Sequence, residues 1–124
     1  MSAKTDPILD ALRKASKGLR YTSETDAPLE PFAWPAGTMT QDVVRQHAGA
    51  GKHAAVEETT LESFFRAVPP EDQAKFQALA KTLQAQLSGI KVYKVGDEAE
   101  KQAYLVGKTP DGRWAGLKTT VVET

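Results

Sequence analysis

The feature that most constrains this chain is a change of hydrophobic period at Gly89. Before it, Phe76, Leu79, Ala80, Leu83 and Leu87 recur at the spacing of one helical stripe. The spacing predicts a helix from about Glu71 to Ser88, with Gly89 as its left-handed stop. After it the period becomes two. "IKVYKV", "AYLVGKT" and "RWAGLKTTVV" are rich in β-branched and aromatic residues, and "TPDG" places Pro at the second position of a turn. These segments predict a three-stranded antiparallel meander at the C-terminus. Helices come early and contiguous strands late, so the expected class is α+β, with helices covering an antiparallel sheet.

Upstream signals fill in the helical half. Asp6 before Pro7 is a helix start: a side-chain acceptor at the cap, then a residue that needs no N–H. Ile8, Leu9, Leu12, Ala15 and Leu19 continue at helical spacing, and Gly18 ends the helix near Lys17. "TSETDAP" is turn chemistry, and "LEPFAW" is extended, with Pro31 and Pro35 limiting it to a sheet edge. Thr38 or Thr40 can cap a short helix through "QDVVRQHA", closed by Gly49. "GAGKH" reads as a loop and "AAVEE" as a short strand. Thr60 caps "LESFFRA", which Pro69 and Pro70 end.

Composition narrows the function. A chain of 124 residues with 40% apolar content suits one domain over residues 1–124. Sixteen basic and sixteen acidic residues cancel, which argues against direct nucleic-acid binding, since phosphate recognition needs clustered Lys and Arg. The absence of Cys excludes disulfides, thiol catalysis and thiolate metal sites. No run of about 18 apolar residues could span a membrane, and the N-terminus has no apolar stretch of signal-peptide length. The chain therefore reads as cytoplasmic.

Candidate chemistry is sparse. "GAGKH" fails the phosphate-loop spacing, because Gln46 and His53 stand where Gly and Ser or Thr are required. His47 and His53 are the only histidines, and no ligand spacing recruits Glu57 or Glu58 to them, so both are expected at the surface. Ser16, Ser23, Ser63 and Ser88 match no nucleophile motif. "GDEAEK", residues 96–101, reads as a solvated hairpin loop. Phe64 and Phe65 are expected in the core, and Trp34 and Trp114 suit packing better than an interface. The final "KTTVVET" keeps strand character to Thr124, so the terminal carboxylate is expected to have a defined place.

Taken together, "ILDALRKASKGLRYTSETDAPLEPFAW", "SFF", "KFQ", "VYKVG", "TPDGRWAGLKT" and "VVET" resemble the nuclease A inhibitor family in order and spacing, over nearly the whole chain. The resemblance is most specific in the first 34 residues and the last 20 or so. It implies an α/β/α sandwich that inhibits a sugar-non-specific, magnesium-dependent nuclease of the ββα-metal class, with no catalysis and no cofactor of its own. It also implies that the glutamate of "SET", Glu24, and the last residue, Thr124, are directed at the partner's magnesium. Ser23, Thr25 and Glu123 flank them in the same partner-binding set.

Two departures accompany the resemblance. Family members carry a longer acidic, Trp-bearing insert where this chain has only "RAVPPEDQAKFQ", and a formal charge of zero gives little steering toward a basic active site. Two other functions are compatible with the sequence. One is an interaction module of the same fold with a non-nuclease partner, and the other an enzyme using loop carboxylates.

Overall fold

In a computed structural model of the chain, residues 6–22, 26–96 and 99–122 are described, without the side chains of Asp6 and Thr22. One five-stranded antiparallel sheet organises them, in the order β3 (Glu30–Trp34), β7 (Trp114–Val122), β6 (Glu100–Lys108), β5 (Ser88–Val95) and β4 (Val56–Thr59). β5, β6 and β7 form the meander expected from the period-two segments. Alternation along its strands sends successive side chains to opposite faces. Ala103, Leu105, Ala115, Leu117 and Val121 face one side. Tyr104, Val106 and Trp114 face the other.

Three helices cover the first face. The stripes of α1 (Asp6–Ser16), α3 (Leu61–Arg66) and α4 (Gln73–Gln86) bring Leu12, Phe64, Phe65, Phe76, Leu79 and Leu83 into one cluster. On the second face, α2 (Gln41–Ala48) buries Val44 against Tyr93, Val95 and Tyr104. Helices on both faces of one sheet make the α/β/α sandwich, and Phe64, Phe65 and Trp34 are buried as expected.

Several local expectations hold closely. Thr40 Oγ1 accepts from Val43 N at 3.2 Å, and Gly49 closes α2 with φ 69°. Thr60 Oγ1 accepts from Ser63 N at 3.0 Å to start α3. Among the described residues β3 pairs only with β7, so Pro31 does sit on an edge strand. "GAGKH" falls between α2 and β4, and the "TPDG" turn joins β6 to β7.

The end of the long helix differs from the sequence reading. α4 stops at Gln86, and Leu87 is already extended although its N–H still donates to Leu83 O at 2.9 Å. Gly89, expected as the helix stop, instead lies in β5 with φ 60°, where the register shifts between Ser88 and Lys91. This is a bulge. A side chain at Gly107 on the facing strand would come within 2.8 Å of both Leu87 Cβ and Ile90 Cγ1. The helix ends early because Leu87 completes the core from the first extended residue, above a glycine that leaves room for it. At its other end, α4 is preceded by a 3-10 turn, Pro70–Asp72, in place of the helix expected from Glu71.

Candidate functional site

The five residues singled out by the resemblance, Ser23, Glu24, Thr25, Glu123 and Thr124, lie outside the described residues. What the structure describes is the chain on either side of residues 23–25 and the strand leading to residue 123. "RYT" and "DAP" form two short strands, β1 (Arg20–Thr22) and β2 (Asp26–Pro28), that pair as an antiparallel hairpin closed by Thr22 and Asp26. The sequence reading had only a turn here. Residues 23–25 connect the closing pair.

The hairpin is anchored from inside. Tyr21 is 3% exposed and stacks on Phe64, with ring centroids 4.1 Å apart and planes 6° from parallel. Its ring edge meets Phe76 at 6.3 Å. The phenol donates to Phe64 O at 2.8 Å, so its polar end is satisfied in the core. Ala27 and Leu29 are buried on the other strand and the segment that follows it. The apolar run after the "SET" turn therefore has a physical role: it fixes the hairpin to the helical layer.

The second scaffold is the end of β7. Val121 is buried, and the pairs Lys101–Val121 and Glu100–Val122 keep β7 in register with β6 to its last described residues. β7 reaches past the last β3 pair, Glu30–Lys118, and lies against β2 there. Thr119, 4% exposed, donates through Oγ1 to Ala27 O at 3.4 Å. The strand leading to residue 123 and the hairpin holding residues 23–25 are thus tied side by side. Neither Tyr21 nor Thr119 was singled out from sequence; the β-forming "RYT" was the available signal for the first.

Around the hairpin base, Arg13, Lys17 and Arg20 line a concavity of ≈ 220 Å³, so a chain of zero net charge carries a local basic rim. Arg13 pairs with Asp10 at 2.8 Å on an exposed face. Arg13 lies in the last turn of α1, where the helix end favours positive charge, Lys17 follows that end, and Arg20 opens β1.

The corner from α3 to α4 is closed by one side chain. Gln73 Nε2 donates to Val68 O at 2.7 Å and to Arg66 O at 3.2 Å, satisfying carbonyls left over at the end of α3. No aromatic stands between Phe65 and Phe76.

The remaining candidates behave as surface or packing groups. His47 is exposed and stacks on Trp34 at 4.2 Å, and His53 is exposed on the loop before β4. Among the described residues no group of three or more His, Cys, Asp or Glu could hold a metal, and no helix is long and apolar enough to cross a membrane.

A family model described as "Nuclease A inhibitor-like protein" matches residues 6–124. The chain belongs to that family. Comparison with curated proteins gives no match. Membership in the nuclease A inhibitor-like family supports a nuclease-inhibitor type of function, exercised on a protein partner such as a nuclease. The hairpin and the end of β7 are the described elements adjoining residues 23–25 and 123–124.

Proposed function

We propose that this protein inhibits a sugar-non-specific, magnesium-dependent nuclease of the ββα-metal class, by presenting the Glu24 side chain and the Thr124 carboxylate to the partner's metal. Magnesium takes oxygen ligands and keeps several waters. In such a nuclease it polarises the scissile phosphate and stabilises the leaving oxygen. A carboxylate set over that ion, directly or through a water, occupies the place of the substrate's phosphate oxygens. Ser23, Thr25 and Glu123 complete the contact surface around the two groups.

The observation that carries this reading is the tie between the two scaffolds, Thr119 Oγ1 to Ala27 O. Groups projected from two neighbouring, core-anchored elements lose little freedom on binding, which lowers the ordering cost of association. The short corner stitched by Gln73 supplies no aromatic anchor, so the carboxylates carry a larger share of the affinity here.

The test is inhibition of a purified ββα-metal nuclease from the same host. Glu24→Ala, and separately one residue appended after Thr124, each weaken inhibition by about 2 kcal/mol or more, as for interface hot spots. Undiminished inhibition by the extended protein overturns the reading. Recovery of a different class of protein in a pull-down from the host, with no metal nuclease, favours the interaction module instead.

A further inference from the structure

A cavity lies at the Trp114 end of β7, the end opposite the hairpin tie. It measures ≈ 630 Å³, within the range of small-molecule sites, and opens on the α2 face of the sheet. α2 is eight residues long and packs toward Tyr93, Val95 and Tyr104, which leaves the start of β5 and β7 and the end of β6 uncovered. Trp114 at one end of β7 borders the cavity, while Val122 ends the described strand roughly 27 Å away at 3.4 Å per residue.

Its lining has three chemically distinct parts. Trp114 and Val106 make an apolar wall, and the indole is fixed because its Nε1 donates to Gly37 O at 2.8 Å. Lys108 reaches over that indole, with Nζ 6.0 Å from the ring centroid, and makes no ion pair with any described residue. Lys91 stands nearby, 3.1 Å from the Glu58 carboxylate. Tyr93 lies beyond Lys91, two residues further along β5. The residue is only 5% exposed, yet its hydroxyl makes no hydrogen bond to a described residue and is not sealed in the interior. Burial, then the nearby Glu58 carboxylate, hold this phenol above its ordinary range, so at neutral pH it is a donor. The hydroxyl therefore opens on the cleft, where it can donate to a bound acceptor.

We infer that this cleft binds a small aromatic anion of the mononucleotide type, its ring against Trp114 and its anionic group held by Lys108, Lys91 and the Tyr93 hydroxyl. The Lys108 ammonium now occupies the face of the indole. A planar ring can take that place by stacking, as bases do on aromatic side chains, and free the ammonium for the phosphate. Glu58 opposes polyanions, since its charge already partners Lys91, and the match is therefore to a ligand with one or two charges. This site is separate from the proposed inhibitory edge, and its occupancy is read without any nuclease.

Adenosine 5′-monophosphate serves as the probe, followed by calorimetry and by quenching of tryptophan fluorescence, to which Trp34 and Trp114 both contribute. The expected result is saturable binding, weakened about tenfold or more in Lys108→Gln and in Tyr93→Phe, each with an unchanged circular dichroism spectrum. Adenosine, which lacks the anion, and inorganic phosphate, which lacks the ring, are each expected to bind more weakly by a similar factor. Absence of saturable binding at millimolar probe overturns the inference, as does equal affinity for adenosine or undiminished binding by folded Lys108→Gln.

Discussion

Tyr21 lies flat on Phe64 and at the same time donates its hydroxyl hydrogen to the Phe64 carbonyl, at 2.8 Å. One residue pair thus joins the β1–β2 hairpin to α3 by both faces of aromatic chemistry, ring contact and phenol. Removing only the phenol separates the two. Tyr21→Phe keeps the stack but leaves a buried carbonyl without its partner, at a cost of about 1–3 kcal/mol. Tyr21→Ala also opens a cavity beside Phe76 and costs about 3–5 kcal/mol. Denaturant midpoints at constant m-value measure both, and an unaltered midpoint for Tyr21→Phe contradicts this account of the anchor.

A glycine in the middle of β7 sets a second expectation. A Cβ at Gly116 would lie 1.7 Å from Leu105 O and 3.1 Å from Val106 Cα, both backbone atoms of the adjacent strand. Backbone in a paired sheet cannot move aside cheaply. Gly116→Ala therefore destabilises by about 3 kcal/mol or more, at the upper end of overpacking costs. Gly51→Ala is the control, because nothing lies within 4 Å of the added atom and its φ is not in the left-handed region. It is expected to change stability by less than about 1 kcal/mol. Thermal unfolding of the two variants decides whether the strand contact or general glycine chemistry dominates.

The pH dependence above neutrality follows from two tyrosines. Burial raises Tyr104 above the ordinary phenol value of 10.0, and burial followed by the Glu58 charge raises Tyr93. A raised folded value means that the unfolded chain loses these protons first as pH increases. The contribution to stability is complete below pH 10.0 and is lost as pH climbs through the higher folded values. Unfolding free energy is therefore expected to fall above pH 10.0, with a smaller slope in Tyr104→Phe. Phenolate absorbance should lag in the folded protein behind that of the unfolded chain, and coincident titrations would exclude this origin.

Most of the fold was legible because local and global preferences agree. Thr40, Gly49 and Thr60 act at the caps that their types favour, and the meander strands alternate in the way a two-sided sheet requires. The misreadings have particular causes. Gly89 is a glycine after a helical stripe, the ordinary sign of a stop, but the opposing Gly107 made a bulge available and the strand took it. β1 and β2 are three residues each, too short for periodicity to register, and Pro28 in β2 argued for a turn. The cleft around Tyr93 was invisible for another reason. Its members come from β5, β6, β7 and the loop before α2, and only the sheet register brings them together. The role of Glu24 and Thr124 at a partner's metal came from resemblance alone, since strand character in "KTTVVET" suggested only a defined place for the last residue and a carboxylate in a polar turn carries no specifying spacing.

The tie between the scaffolds gives the last prediction. Thr119 Oγ1 reaches Ala27 O at 3.4 Å, a long and weak bond in a buried setting. Thr119→Val keeps the shape and removes the donor, so the stability cost is modest, about 1 kcal/mol. If the hairpin and the end of β7 act together on one metal ion, a small loss of alignment between them matters more for inhibition than for folding. Where groups must be aligned, as at a catalytic centre, a displacement of about 1 Å can cost on the order of a hundredfold. Thr119→Val is therefore expected to lower inhibition of the cognate nuclease by a larger factor than its stability loss accounts for, while Thr119→Ser, which keeps the hydroxyl, retains most of it. The comparison needs an inhibition constant and an unfolding free energy for each variant at one temperature. Equal inhibition by Thr119→Val and the parent protein would mean that the two groups do not depend on this alignment.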